Sequence, residues 1–181
     1  MPVAPSSPMR ARQSAPFVAI PCVHRDMRVY EIIALCPQAP DIMAAYGLHC
    51  FSCSLGGIES IQEGCAMHGF SDDAIDALVE DLNEAIRSTP ARPAVLTVTP
   101  PAAVAIRRIA EGEGRKQCGL SVVTDMEGGF CMEFSEEPGK DDNIFPCDSD
   151  PFVRVFASPE TLWRIGGATI DFRDGRFKLD L

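Results

Sequence analysis

Four side chains with chemistry open to them fall between residues 50 and 68: Cys50, Cys53, Cys65 and His68. Written out, they read C-x2-C-x11-C-x2-H. Two cysteines three positions apart can close a disulfide or grip one metal ion. The thiolate is the reactive form, and His49, once protonated, would favour it at Cys50. The pair stands at or just before the start of a helix expected from about Gly57 to Met67, where unpaired amides and the helix dipole favour a negative charge. If that helix reaches His68, Cys65 and His68 lie three apart on one face. Three readings follow. Cys50 and Cys53 form a redox dithiol, with Cys65 nearby as a third thiol. Alternatively, Cys50, Cys53, Cys65 and His68 hold zinc or an iron–sulfur cluster. The bland reading is a structural turn with buried thiols, since free cysteines commonly serve as apolar filler.

The elements that must position this cluster are helical. Val29, Ile32, Ile33 and Cys36 repeat at three and four after Asp26, a cap candidate, and Pro37 ends the run. Pro40-Asp41 opens a second helix, closed by Gly47. Ser71, followed by Asp72 and Asp73, caps a fourth helix running to about Arg87. Its Ile75, Leu78, Val79, Leu82 and Ile86 form one apolar stripe. Residues 26–88 therefore read as a small all-α bundle. Residues 1–25, rich in Pro, Ser and Ala without periodicity, read as a disordered tail, with Met27 an alternative start. Cys22-x-His24 within it is taken as incidental.

Residues 89–95 make a proline-bearing linker. Beyond it the pattern changes. Thr99-Pro100-Pro101 caps a helix carrying Val104, Ile106, Ile109 and Ala110. Strand signals follow at 120–123, 129–134, 144–145 and 152–156. Ser158-Pro159 starts a short helix holding Trp163, expected in the core. Asp174-Gly175 between 169–172 and 177–179 is a hairpin signal. Residues 96–181 read as a mostly antiparallel β domain with two helices. The fold class is thus α+β, in two domains.

Composition narrows the function. The 181 residues carry a net charge of -10, which argues against nucleic acid and against an anionic membrane surface. No apolar run approaches the roughly 20 residues of a membrane span. Eight cysteines without an export-type leader point to a reducing, cytoplasmic compartment. No phosphate-cradling glycine loop, Ser-His-Asp set or paired-carboxylate site stands out. Glu136-Glu137 and Asp141-Asp142 read as solvated turns.

Residues 27–87 resemble the hybrid-cluster-protein-associated redox disulfide domain family. The resemblance rests on Gly47-Leu48-His49-Cys50-x-x-Cys53, Glu59-Ser60-Ile61, Gly64-Cys65-x-x-His68-Gly69 and the acidic last helix. The stretch is also similar to the short N-terminal domain of iron–sulfur repair proteins. The resemblance implies a small helical domain whose Cys50 and Cys53 form a redox pair.

Residues 96–180 resemble the HesB-like A-type iron–sulfur carriers. Leu96-Thr97-Val98-Thr99, Gly119-Leu120-Ser121-Val122, Met132 to Pro138, Asp141-Asp142, Ala168 to Phe172 and Phe177-Lys178 carry the likeness. Such carriers hold a cluster through a Cys-Ser-Gly turn and a C-terminal Cys-Gly-Cys. Here the turn, Thr124 to Gly129, lacks cysteine, and no Cys-Gly-Cys precedes Leu181. The expectation is a degenerate carrier acting as a docking or dimerising scaffold. The alternative is a rearranged site on Cys118 and Cys131, with Cys147 at a strand edge or loop. Together these readings imply a thiol-redox or iron–sulfur accessory protein in which Cys50 attacks first and Cys53 resolves. Its partners would be iron–sulfur or redox proteins, with a homodimer left open. If it is an enzyme, it is a thiol-disulfide oxidoreductase.

Overall fold

The computed structural model describes residues 17–49, 59–115, 119–125 and 129–181. The fold is α+β, with four helices followed by a mostly antiparallel β region. The helices are α1 (Val29–Leu35), α2 (Ala39–Ala45), α3 (Ile61–Met67) and α4 (Asp72–Ser88). Then come β1 (Thr97–Val98), α5 (Pro100–Gly112), β2 (Gly119–Thr124), β3 (Phe130–Ser135), β4 (Asn143–Cys147) and β5 (Asp150–Ala157). Helix α6 (Pro159–Ile165) and the hairpin β6 (Thr169–Arg173) and β7 (Arg176–Asp180) complete it.

Helix α4 follows its sequence closely. Ser71 Oγ accepts from the Ala74 amide, Asp72 and Asp73 sit in the first turn, and Ile75, Leu78, Leu82 and Ile86 are buried. Burying each such side chain is worth about 1.5–3 kcal/mol, which is what holds the helix to α2. Likewise Thr99 Oγ1 caps α5, whose prolines occupy the first turn where no amide partner is needed.

The strands form two sheets, β1-β6-β7 and β3-β2-β5-β4. Within them β1 runs parallel to β6 and β2 parallel to β5, while the remaining pairs are antiparallel. Between β6 and β7, Asp174 at φ 54° and Gly175 at φ 74° supply the two left-handed residues that a tight hairpin needs. In β2, Gly119 is favoured by packing: a Cβ there would clash with the edge of the buried Phe156 ring.

Three expectations differ from the structure. Helix α1 starts at Val29, not at Asp26, because the Glu31 carboxylate accepts from the Arg28 amide at 2.8 Å and fixes the start there. Helix α3 starts at Ile61, not near Gly57. Ser60 caps it, and Glu63 answers the Ser60 amide at 2.9 Å. Finally, the tail assigned to residues 1–25 is structured over 17–25; residues 1–16 lie outside the described residues. Val23 is buried, and Asn83 from α4 brackets it. Asn83 Oδ1 accepts from the Val23 amide at 2.8 Å, and Nδ2 donates to its carbonyl at 3.1 Å. Arg25 adds a fork onto Asp72 and Asp76. Composition hid this segment because polar clamps and two isolated core valines, Val18 and Val23, hold it rather than a periodic apolar stripe.

The 89–95 stretch is tied down on both sides. Arg92 accepts from the Val18 amide at 3.1 Å, and Val95 from the Gly167 amide at 2.8 Å. One continuous core runs through both halves, with α1 against α6. As expected, Trp163 lies in it.

Candidate functional site

Cys50 and Cys53 lie outside the described residues, as do Cys118 and the stretch 126–128. What the structure defines is the residues on either side of the segment bearing Cys50 and Cys53. At its entry, Gly47 adopts φ 87°, a left-handed conformation that ends α2. The next residue, Leu48, is buried and donates its amide to Met43 at 2.9 Å. His49, one residue on, is exposed. At the exit, Glu59 accepts from the Val29 amide at 3.1 Å, Ile61 donates to Met27 at 2.9 Å, and Ser60 bridges to Arg28. Both ends are therefore fixed to the α1–α2 part of the bundle.

The later start of α3 changes the electrostatic argument. Its first turn is already served by Ser60 and by Glu63, and Ser60 donates from both its amide and its hydroxyl to Glu63 Oε2 at 2.9 Å. Those donors hold the Glu63 carboxyl below the usual carboxylate range. Helix α3 thus begins at Ile61 with the Glu63 carboxylate already on its first turn. His49 remains as the flanking basic group.

Cys65 and His68 do not share an open face. Cys65 is wholly buried in the core, whereas His68 is the exposed C-cap of α3. Among the described residues, no group of three His, Cys, Asp or Glu side chains is arranged to hold a metal.

The other cysteines divide by exposure. Cys22 is exposed. Cys36 is buried, which pushes its thiol pKa up, with Gln38 Oε1 3.5 Å away. Cys147 is buried, its sulfur 3.7 Å from the Val98 carbonyl and 3.1 Å from Ser149 Oγ. Cys131 is half-buried on β3, opposite Val123, with Asp125 Oδ2 4.0 Å from its sulfur. Gly119, which follows Cys118, pairs instead with Ser135 at the opposite end of that hairpin.

The outer face of α1 carries no sequence motif. Yet Tyr30 and Glu31 line a cleft of about 500 Å³ together with Val123 and Glu160 from the other half. No local motif could disclose a cleft assembled from segments so far apart in the chain.

Residues 23–75 match the family model described as a domain of unknown function (DUF1858). That match takes in Cys50, Cys53, Cys65 and His68. No curated protein matches the chain. Two solved structures are similar to parts of it. The crystal structure of Escherichia coli SufA, described as involved in biosynthesis of iron–sulfur clusters, is 29% identical, with a TM-score of 0.39. It covers 46% of this chain and 82% of its own. The solution structure of a protein from Aquifex aeolicus is 24% identical, with a TM-score of 0.40, covering 52% of this chain and 98% of its own. At those TM-scores the likeness carries no argument about this chain's chemistry. Among the described residues, no helix is long and apolar enough to cross a membrane.

Proposed function

We propose that the chain is a thiol-redox accessory protein, serving iron–sulfur or other redox proteins, whose working groups are Cys50 and Cys53. The reading rests on their C-x-x-C spacing and on the resemblance of residues 27–87 to redox disulfide domains. The observation that carries it over the metal reading is the split between Cys65, wholly buried, and His68, exposed on the C-cap of α3. A dithiol needs neither as ligand.

In the proposed reaction the Cys50 thiolate attacks one sulfur of a partner disulfide. A mixed disulfide forms and the other partner sulfur leaves as a thiolate, which takes up a proton. The Cys53 thiolate then attacks the Cys50 sulfur, closing Cys50–Cys53 and releasing the second partner thiol. Two electrons pass to the partner, and the reverse sequence oxidises it. His49, the residue before Cys50 in the sequence and itself exposed, would favour the thiolate when protonated. Residues 96–181 serve as a docking or dimerising scaffold: Cys147 is committed to the interior, and Cys131 pairs opposite Val123 rather than near the Gly119 end of the hairpin.

Trapping tests this. Cys53→Ser should accumulate a mixed disulfide with a disulfide-bearing peptide, released by dithiothreitol, while Cys50→Ser should not. Equal trapping in both variants would remove the assigned order. No trapping in either would remove the exchange reaction.

A further inference from the structure

The cleft beside α1 is not used by the dithiol chemistry and is built by both halves of the chain. Its volume of about 500 Å³ falls within the range of small-ligand pockets, and junctions between folded units are common places for them. The floor is apolar, made by Ala34 and Leu35 from α1 and Val122 from β2. The rim is anionic. Glu31, Asp125, Asp142 and Glu160 all line it, and no Lys, Arg or His among the described residues does.

Those carboxylates keep capacity for a ligand. Glu31 accepts from the Arg28 amide through Oε2 and, at 3.5 Å, from the Tyr30 hydroxyl through Oε1, and Asp142 accepts from the Gly139 amide through Oδ2. An ionised carboxylate has about four acceptor positions, so each retains free lone pairs. Glu160 is exposed in the first turn of α6. Asp125 is partly offset by the charge of Arg164. Glu31, Asp142 and Glu160 remain over an apolar floor, and the Tyr30 ring lines the same wall, a surface that attracts cations.

We propose that this cleft binds a small organic cation with an apolar body, an aryl- or alkylammonium. Its hydrocarbon would sit on Ala34, Leu35 and Val122, and its charge would face Glu31, Asp142 and Glu160. An anion is repelled by the rim, a bare ammonium ion gains nothing from the floor, and a neutral hydrocarbon leaves the carboxylates unanswered. Because α1 and the β2–α6 region each supply one wall, the ligand holds the two halves together. This assignment is independent of the dithiol reading.

The test uses the full chain and 4-phenylbutylammonium. Trp163 is the single tryptophan and bonds to the Leu35 carbonyl at the cleft floor, so its emission reports occupancy. Saturable binding is expected by fluorescence and calorimetry, about tenfold tighter than 4-phenylbutanol, with no binding of 4-phenylbutanoate. Glu160→Lys, on an exposed turn, should abolish binding without lowering Tm. Ala34→Phe should fill the floor and do the same, and Glu31→Gln, whose amide oxygen can still accept from Arg28, should weaken it. Equal affinity for the alcohol and the ammonium would overturn the proposal, as would binding untouched by Glu160→Lys. Failure of the ammonium to bind while a lysine-bearing peptide does would overturn it too and assign the cleft to a protein partner.

Discussion

The indole Nε1 of Trp163, in the β-rich half, donates to the carbonyl of Leu35, at the end of the first helix, at 3.2 Å. Both groups are buried, so this bond closes the seam between halves that sequence analysis treats as separate. The two halves are expected to unfold together. Trp163 emission and far-UV circular dichroism should give one coincident denaturant transition. Trp163→Phe should lower stability by about 1–2 kcal/mol, from the lost bond and the unpaired Leu35 carbonyl. Two separated transitions in the unaltered protein would show that the seam does not couple them.

Asn83→Ala removes both hydrogen bonds that hold Val23 and leaves its buried amide and carbonyl without these partners. A loss of about 2–3 kcal/mol is expected, with hydrogen exchange at residues 17–25 accelerated more than in the rest of the helical half.

Gly119→Ala drives a methyl group into the Phe156 ring, beneath the Arg154 guanidinium that stacks on it. Overpacking of this kind costs about 1–3 kcal/mol. Adding Phe156→Leu should recover part of the loss, and thermal melts of the single and double variants measure it.

Acid should destabilise the protein through carboxyls that the fold holds below their ordinary range. Glu63 is so held by the Ser60 donors, Asp171 by the Thr99 hydroxyl, and Asp150 by Arg107. Each takes up a proton more readily in the unfolded chain. Their contribution is therefore complete above roughly pH 5 and is lost as pH falls through the lowered folded values. Glu63→Gln should flatten the acid limb of a stability–pH curve measured by urea unfolding.

Much of the fold was legible because the signals were local. Ser71 and Thr99 are hydroxyl caps followed by apolar periodicity, and Asp174-Gly175 can adopt few conformations other than a tight turn. Trp163, expected in the core, is buried there. The misplaced starts of α1 and α3 share one cause: Glu31 and Glu63 reach back three residues to fix the cap, and that outweighed the acidic or glycine residue further upstream. The order of residues 17–25 is not legible locally because their partners are distant: Asn83, sixty positions away, holds Val23, and Arg92 accepts from Val18. Of the candidate site, Cys65 was correctly placed on α3. Its depth and the exposure of His68 were not legible, because a helix boundary decides which way a face points.

The account's central claim is that Cys50 and Cys53 form a reversible dithiol. The most direct measurement is an anaerobic redox titration in glutathione buffers, read by alkylation and mass analysis of each cysteine. The expected result is one two-electron transition that protects Cys50 and Cys53 together, is lost in either serine variant, and leaves Cys22, Cys36 and Cys147 unpaired throughout. Alkylation of Cys50 and Cys53 that is independent of potential, or stoichiometric metal that must be removed before either reacts, would contradict it.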